Sequence, residues 1–205
     1  MIVVIDYGMG NLGSIANMLK KVGAKSIIAS DVATLERADK LILPGVGAFD
    51  NGMQRLKDLG LLAVLNHKVL QDKTPILGLC LGMQLFTRRS EEGILPGLGW
   101  IDAETVRFHF ASDQNELRIP HMGWNTVQIK HSSPLWYEMY PDARFYFVHS
   151  YHLVCHNDED VTTATFYGYE FASSVTQGNI AGTQFHPEKS HKFGMRLFKN
   201  FVERC

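Results

Sequence analysis

The hydrophobic and polar positions in the first half of the chain alternate between short apolar runs and amphipathic segments. Four apolar runs have the length of buried strands and predict them at residues 2–5, 25–29, 40–43 and 75–79. Apolar residues at helical spacing follow these runs and predict helices at residues 12–22, 50–70 and 81–88. Strands that alternate with helices indicate βαβ units, and therefore a parallel sheet with right-handed crossovers.

The second half of the chain has a different pattern. Apolar and β-branched residues predict strands joined by short turns at residues 104–108, 125–129, 143–154, 161–166 and 180–185. A last helix is predicted from the apolar stripe Phe193, Leu197, Phe198, Phe201 and Val202. Since no repeat, low-complexity tract or linker interrupts the chain, residues 1–205 are expected to form one domain. We predict an α/β fold with an open, mostly parallel central sheet flanked by helices, and an antiparallel or mixed portion in the second half.

Composition excludes several classes of function. The 205 residues are 45% hydrophobic, enough for a buried core, and the formal net charge of −1 gives no basic surface for nucleic acid and no polybasic membrane patch. No apolar run approaches the length of a membrane span, and the apolar N-terminus is expected to be a strand and not a signal peptide. The three cysteines, Cys80, Cys155 and Cys205, show no metal-ligand spacing. We expect a reduced cytoplasmic protein with no metal site and no cofactor.

The sequence GLCLGMQ, residues 78–84, places a cysteine between two glycines at the predicted junction of a strand and a helix. This is the pattern of a nucleophile elbow, a turn too tight for side chains at Gly78 and Gly82. Such a turn raises the Cys80 side chain above the end of the sheet and places the backbone N–H of Leu81 near the thiol, while the helix N-terminus favours a thiolate. From this pattern alone, the alternative is that Cys80 is a small buried hydrophobic residue.

A base for this thiol is found far downstream, in QFHPEKS at residues 184–190. His186 and Glu188 follow a predicted strand, and residues two apart on an extended chain share a face, so Glu188 can orient the imidazole. Pro187 is expected to keep this segment extended. The alternative is a solvated loop. Five other histidines compete for the role of base, but none of them has a carboxylate two residues away: His109, His121, His149, His152 and His191.

The third motif is LILPGVGAF at residues 41–49, where a predicted strand ends in Pro-Gly-x-Gly. Such a turn presents backbone N–H groups at the carboxyl edge of the sheet, where they can bind a developing oxyanion together with the N–H of Leu81. The alternative is a glycine-rich turn without a ligand. A phosphate-binding loop is disfavoured because the Gly-Lys-Ser/Thr ending and the Gly-x-Gly-x-x-Gly pattern are missing. The loop at residues 6–11 follows another strand to this edge, where ligands bind in such sheets.

In this order along the chain, PGVGAF, GLCLGMQ and QFHPEKS resemble the class I (triad) glutamine amidotransferases. The resemblance implies a flavodoxin-like fold and a catalytic triad, with Cys80 as the nucleophile, His186 as the base and Glu188 as the residue that orients the base. It also implies two groups of binding residues: Val46, Gly47 and Leu81 for the oxyanion, and Gln84 and Gly45 for the glutamine.

Three further segments narrow the resemblance: DYGMGN at residues 6–11, PHMGWN at residues 120–125 and YFVHSYH at residues 146–152. They are similar to the glutaminase subunits of imidazole glycerol phosphate synthase, and the similarity spans residues 2–201. In that family the subunit hydrolyses L-glutamine to glutamate and ammonia. The ammonia is channelled to a (β/α)₈-barrel cyclase subunit, the partner in a heterodimer, which forms imidazole glycerol phosphate and aminoimidazole carboxamide ribotide.

The same resemblance implies a partner interface and activation by the partner. Four residues match interface positions: Asn11, Trp124, Tyr146 and Lys189. For the two aromatic residues among them, ordinary core packing is the alternative. In the free subunit the oxyanion strand is expected to be held in the wrong orientation, and Gly45 and Gly47 would permit a peptide flip.

Three other functions are compatible with some of the motifs. A paralogous amidotransferase subunit would supply ammonia to another synthase, such as a sugar-amidating enzyme of surface polysaccharide synthesis. A cysteine or ester hydrolase on a similar elbow is disfavoured by the His-Pro-Glu sequence and by Gln84. A catalytically silent subunit is disfavoured because all three triad residues are present. The sequence assigns no role to His191 or to the polar stretch at residues 108–116, which we interpret as a surface turn.

Overall fold

The computed structural model describes residues 1–111 and 117–205. Its strands are β1 Ile2–Ile5, β2 Ser26–Ala29, β3 Lys40–Leu43, β4 Ile76–Leu79, β5 Ala103–Arg107, β6 His121–Thr126, β7 Gln128–Ile129, β8 Arg144–His149, β9 Tyr151–Cys155, β10 Val161–Tyr167, β11 Tyr169–Gln177 and β12 Ile180–Thr183. Its α-helices are α1 Leu12–Lys21, α2 Val32–Glu36, α3 Phe49–Asp58, α4 Leu61–Asn66, α5 Leu81–Gln84 and α6 His191–Arg204. Of the surface turn predicted at residues 108–116, residues 112–116 lie outside the described residues, and the prediction is wrong for Phe108, which is 1% exposed and packs in a hydrophobic core.

The first four strands and β12 form the parallel half of the main sheet, in the order β2-β1-β3-β4-β12. Beyond β12, the strands β11, β10 and β7 continue the sheet in antiparallel orientation. β9 pairs with both β11 and β5, and β6 and β8 form a separate antiparallel ribbon. This topology confirms the predicted α/β fold, including the antiparallel portion contributed by the second half of the chain.

The parallel strands are buried on both faces because helices cover each side of the sheet. On one face, Val3 and Leu41 belong to a core that includes apolar residues of α3 and α4. On the other face, Val4 and Ile42 belong to a second core with residues of α1 and α6. Successive strand residues point to opposite faces, so each short apolar run serves both cores. Because β3, β4 and β12 are parallel neighbours, their carboxyl ends meet at one edge of the sheet. Each of these ends leads into one of the three motifs.

Two predicted helices differ in the structure. The helix predicted at residues 50–70 is divided at Gly60, whose left-handed backbone (φ +69°) separates α3 from α4, and α4 continues as a π-helical turn over His67–Gln71. The helix predicted at residues 81–88 has only the four residues of α5. The chain beyond α5 bonds instead to a distant segment, as when Arg88 N donates to Ala103 O at 3.0 Å. A tertiary hydrogen bond thus replaces one that would have continued the helix.

The strand pattern of the second half also differs in detail. The strand predicted at residues 143–154 is divided between β8 and β9, and the predicted elements do not include α2 or β11, which is nine residues long. The serines of β11 are buried and hydrogen-bonded: Ser173 Oγ and Ser174 Oγ lie 2.9 and 2.8 Å from Thr163 Oγ1. Small polar residues at core positions hide the apolar pattern on which strand prediction depends.

Candidate functional site

Cys80 lies at the tight turn between β4 and α5, at the carboxyl edge of the parallel sheet. Its backbone has φ +53° and ψ −110°, a strained conformation for a residue with a side chain. The turn leaves no room at the flanking glycines. A Cβ at Gly78 would lie 2.6 Å from the Phe86 ring, and one at Gly82 would lie 1.8 Å from Leu43 O. The tight strand-to-helix turn expected from GLCLGMQ is therefore present.

His186 and Glu188 form a buried hydrogen-bonded pair. His186 Nδ1 donates to Glu188 Oε1 at 2.8 Å, and both side chains are 2% exposed. Because a carboxylate only accepts, the neutral imidazole carries its proton on Nδ1 and leaves Nε2 as an acceptor. Within the described residues, His186 Nε2 and Glu188 Oε2 have no hydrogen-bond partner. Nε2 is therefore free to take a proton from a neighbouring acid.

The way in which this pair forms differs from the prediction. The segment Pro187–Lys189 is a 3₁₀ turn, with His186 as its N-cap, and not an extended chain. Ser190 N donates to Pro187 O at 3.0 Å, and Ser190 Oγ donates to His186 O at 2.6 Å. The fixed φ of proline suits the first position of a helical turn as well as it suits extended chain. The turn, and not the two-residue period of a strand, brings Glu188 to the imidazole.

The surroundings of His186 favour its protonated form. Burial lowers the pKa of the imidazole, but interaction with the nearby Cys80 side chain, and then the hydrogen bond and charge of Glu188, outweigh burial and raise the pKa above its ordinary value. An imidazole that holds its proton more tightly stabilises a thiolate beside it. The arrangement can therefore supply an attacking sulfur and a proton donor in one place.

The thiol and the imidazole open into a cavity of about 500 Å³. Six predicted site residues line it together: Val46, Gly47, Cys80, Leu81, Gln84 and His186. Glu188 stands behind the imidazole and bonds its other nitrogen. Gly45, which the family resemblance assigns to glutamine binding, is not part of the described lining. A Cβ there would lie 2.7 Å from both Leu81 Cβ and Tyr7 Oη, so this glycine lets two turns pack closely.

Two turns bring the predicted oxyanion residues to this cavity. The turn after β3 is tied down where Tyr7 Oη donates to Pro44 O at 2.6 Å. Val46 and Gly47, beyond the buried Gly45, are open to solvent: Val46 is 46% exposed, and Gly47 has φ +110°. The N–H of Leu81 lies in the first turn of α5, where backbone N–H groups have no acceptor within the helix. Residues of both turns therefore border the same cavity, which is where an oxyanion site would have to lie.

Several residues that the sequence analysis leaves unassigned also line the cavity: Ala48, Glu92, Pro120, Val148, His149, Ser150 and Tyr151. Glu92 Oε2 accepts from the backbone N–H of Phe49 at 2.8 Å, which fixes a carboxylate in the wall at the start of α3. Its loop carries no motif that would have marked it. The segment at residues 148–151 lies within YFVHSYH, so a signal for those residues was present.

Three of the four predicted interface residues lie close together beside His186. Trp124 and Tyr146 face each other across β6 and β8, with ring centroids 6.4 Å apart. Lys189 Nζ lies 5.5 Å from the centroid of the Tyr146 ring, and His186 N donates to Tyr146 O at 2.9 Å. Trp124 is 45% exposed, so its ring is not part of the core.

Two residues at helix starts have simple structural roles. His191, to which the sequence assigns no role, begins α6 with φ +46° and stacks on Trp124, with ring centroids 5.6 Å apart. Asn11 is exposed and caps α1, its Oδ1 accepting from Ser14 N at 3.4 Å. His191 therefore belongs to the same surface as the two aromatic rings.

A cluster of buried histidines adjoins the cavity. His149 Nδ1 donates to Tyr151 O at 2.7 Å, and His121 Nδ1 lies 3.0 Å from His149 Nε2. Asn125 Nδ2 lies 3.2 Å from His121 Nε2. Since the Tyr151 carbonyl only accepts, each neutral imidazole carries its proton on Nδ1 and accepts at Nε2. Burial lowers the pKa of His121 to about 4 and that of His149 well below its ordinary value.

This cluster should make folding less stable as the pH falls below about 6.5. Unfolded histidine takes up a proton near pH 6.5, whereas folded His121 stays neutral down to about pH 4. Between these values the unfolded state binds more protons, so the free energy of unfolding falls with falling pH. The fully buried His149 should contribute about 1.4 kcal/mol per pH unit. Urea unfolding at about pH 7 and about pH 5.5 measures the loss.

Two variants show whether the cluster causes this loss. His121→Asn keeps a donor at the Nδ1 position but cannot be protonated, so the loss between the two pH values should shrink. His67→Gln is the matched control, because it replaces an exposed histidine outside the cluster. Equal losses in the wild type and in His121→Asn would contradict the assignment of neutral, buried imidazoles.

Within residues 1–111 and 117–205, no group of three or more His, Cys, Asp or Glu side chains is placed to hold a metal ion. Nor does any helix of these ranges have the length and apolar character to cross a membrane. The two cysteines outside the cavity, Cys155 and Cys205, are partly buried, and burial raises the pKa of both thiols, that of Cys155 to about 12.

Known proteins resemble this chain over its full length. The family model for glutamine amidotransferase class-I matches residues 3–205. Imidazole glycerol phosphate synthase subunit HisH 2 of Methanococcus maripaludis is 53% identical over 205 residues, which is 100% of both chains. The protein of the same name from Pseudomonas aeruginosa is 52% identical over 203 residues, 99% of each chain. The HisH subunit of Bdellovibrio bacteriovorus is 45% identical over 203 residues, 99% of this chain and 100% of its own.

Solved structures share the fold at lower identity. The structure of PurLQS from Thermotoga maritima has a TM-score of 0.73 at 17% identity and covers 98% of this chain and 96% of its own. A glutamine amidotransferase from the same organism has a TM-score of 0.69 at 18% identity, covering 99% of this chain and 96% of its own. These likenesses support the fold, and the full-length match to the family model supports membership. The chain belongs to the class-I glutamine amidotransferase family.

Proposed function

We propose that this chain is the glutaminase subunit of imidazole glycerol phosphate synthase. It hydrolyses L-glutamine to glutamate and ammonia and channels the ammonia to a (β/α)₈-barrel cyclase subunit in a heterodimer. The observation that carries the proposal is the meeting of Cys80 with the His186–Glu188 pair at one cavity. The choice of synthase is supported by relatives of that name, which are 45–53% identical over nearly the whole chain.

The chemistry follows from the positions of the three side chains. The Cys80 thiolate attacks the side-chain amide carbon of glutamine, and the amide oxygen becomes an oxyanion facing the N–H groups of the β3 turn and Leu81. His186 protonates the amide nitrogen and the C–N bond breaks. Ammonia departs, and the glutamyl group remains on the sulfur as a thioester. His186 then takes a proton from water, whose oxygen attacks the thioester and releases glutamate and the thiol. Glu188 keeps Nδ1 protonated and the ring oriented throughout.

The cavity suits an amino acid in size and in charge. Its volume of about 500 Å³ lies in the usual range for small-molecule sites. Glu92 supplies a carboxylate that can bind the α-ammonium group of glutamine. Gln84 forms part of the cavity wall. Its Nε2 already donates two hydrogen bonds, to Tyr151 O at 3.0 Å and to Gln184 Oε1 at 3.2 Å. We assign Gln84 to shaping the pocket around the substrate.

The cyclase subunit should cover the surface formed by Trp124, Tyr146, Lys189 and His191. This surface joins the cavity because Tyr146 O accepts from His186 N, which is next to the reacting groups. Trp124 and its neighbour Met122 are exposed on β6, as partner-facing residues should be in the free chain. The exposed turn at Val46 and Gly47 lines the same cavity as His186 and is the element that a partner could reorient.

An assay of glutamine hydrolysis with and without the cyclase partner and its nucleotide ligand tests the proposal. The free chain should be slow, and the complex should be faster and should transfer nitrogen from amide-labelled glutamine into the cyclase products. Unlabelled ammonium in the solvent is the control, because it should not dilute nitrogen that is channelled. A free chain at full rate would contradict activation by the partner. Transfer only to a different synthase would favour the paralogous role.

A further inference from the structure

We propose that Gln184 is a catalytic residue whose side-chain N–H group donates to the sulfur of Cys80 and stabilises it as the attacking thiolate. This inference rests on the proposed role of Cys80 as the nucleophile. It adds a fourth side chain to the three of the triad, and this side chain is contributed by the strand next to the elbow.

Strand pairing places the two residues side by side. β4 and β12 run parallel with Leu79 opposite Thr183, so Cys80 and Gln184 each follow the last residue of adjacent strands. Gln184 is 0% exposed, and its Nε2 lies 3.7 Å from Cys80 Sγ. Cys80 N also donates to Thr183 O at 2.7 Å, which ties the elbow to this strand. A sulfur that becomes negative in a buried site needs such donors in place of water.

The amide of Gln184 is held in the orientation that points its N–H group at the sulfur. Gln184 Oε1 accepts from Gln84 Nε2 at 3.2 Å, and Gln84 Nε2 also donates to Tyr151 O at 3.0 Å. If the side-chain amide of Gln84 were rotated by 180°, its oxygen would face the carbonyl oxygen of Tyr151. The same rotation of the Gln184 amide would place its NH₂ against that of Gln84 and its oxygen against the sulfur. Both flips lose hydrogen bonds, so the two amides fix each other.

The carbonyl of Tyr151 is itself held by the histidine cluster. It accepts from His149 Nδ1 at 2.7 Å as well as from Gln84, and His149 is held by His121 at 3.0 Å. Burial lowers the pKa of both imidazoles, so they stay neutral and keep these bonds at neutral pH. The donor at the sulfur is therefore the end of a continuous hydrogen-bond network that begins at the partly buried Asn125 on β6.

The pH dependence of alkylation of Cys80 by iodoacetamide tests this role, since only the thiolate reacts. The full chain carries Cys155→Ser and Cys205→Ser so that Cys80 alone reports. Gln184→Met keeps the length of the side chain but removes the donor. The pH at which alkylation is half-maximal should rise by about one pH unit, and the plateau rate at high pH should be retained. A side chain with a merely structural role would change the plateau or the thermal unfolding midpoint and leave the pH midpoint in place.

A second variant and a coupling test complete the design. Gln184→Glu has the same shape and places an acceptor at the sulfur, so it should move the midpoint at least as far and serves if Gln184→Met does not fold. Gln84→Met should give a smaller shift, and Gln84→Met with Gln184→Met should shift no more than Gln184→Met alone. An unchanged midpoint in a folded Gln184 variant would overturn the inference. In a separate alkylation of the wild-type chain, which retains Cys155, a Cys80 that reacts no faster than Cys155 would instead overturn the proposed nucleophile.

Discussion

Replacing Cys80 with serine should lower the glutaminase rate of the assembled synthase by a factor on the order of 10⁴ or more. A hydroxyl holds its proton far more tightly than a thiol, so His186 can no longer form the ion pair that its raised pKa favours. The substitution exchanges one atom, and the strained backbone at this position remains. Steady-state release of glutamate measures the rate, and thermal unfolding checks that the variant is folded.

Cys155→Ser is the matched control for this result. Cys155 is partly buried on β9, outside the cavity, and burial raises the pKa of its thiol to about 12, which makes it a poor nucleophile. This variant should therefore keep a rate within about twofold of the wild type. If Cys80→Ser retained a tenth of the wild-type rate, or if Cys155→Ser removed it, Cys80 would not be the nucleophile.

Gly82→Ala should lower the free energy of unfolding by about 3 kcal/mol or more and remove glutaminase activity with it. The added Cβ would lie 1.8 Å from Leu43 O and 2.8 Å from Leu43 C, and these are backbone atoms of a buried strand that cannot move aside alone. The elbow would have to separate from the end of β3. That movement would pull the thiol away from His186. Urea unfolding gives the free energy, and the glutaminase assay gives the second readout.

Gly13→Ala is also a glycine-to-alanine substitution, but it should raise the free energy of unfolding. Gly13 lies in α1, and a Cβ there would meet no atom within 4 Å. Alanine in a helix should add up to about 1 kcal/mol of stability because it loses less backbone entropy on folding. If the two variants changed stability by the same amount, the steric explanation for Gly82 would be wrong.

The parallel half of the fold could be predicted from the sequence because its signals are local. Each of β1, β3 and β4 is an apolar run of a few residues, and such runs are typical of strands buried on both faces. β11 could not be predicted in this way, because its buried Ser173 and Ser174 are polar and hydrogen-bond to Thr163 on the adjacent strand. Hydrogen bonds between distant side chains leave no trace in the hydropathy of a segment.

The predicted site shows the same difference between features set by local sequence and features set by distant contacts. GLCLGMQ marked the tight turn at Cys80, because only glycine fits beside an elbow. The bond between His186 and Glu188 was expected, but the 3₁₀ turn that makes it was not. Glu92 lines the cavity but belongs to a loop with no motif, so the sequence did not indicate it. Gln184 was inside a recognised motif, yet nothing in the order of residues shows that its amide faces the sulfur.

The sequence by itself determined the alternation of strands and helices, the two glycines of the elbow and the residue types of the predicted triad. Backbone sterics and short-range periodicity dictate these features, and both act within a few residues. The tertiary structure decided which turns share a cavity and which way the amides of Gln84 and Gln184 point. Those choices depend on the pairing of β4 with β12, far apart in the chain, and on donors that must find acceptors once water is excluded.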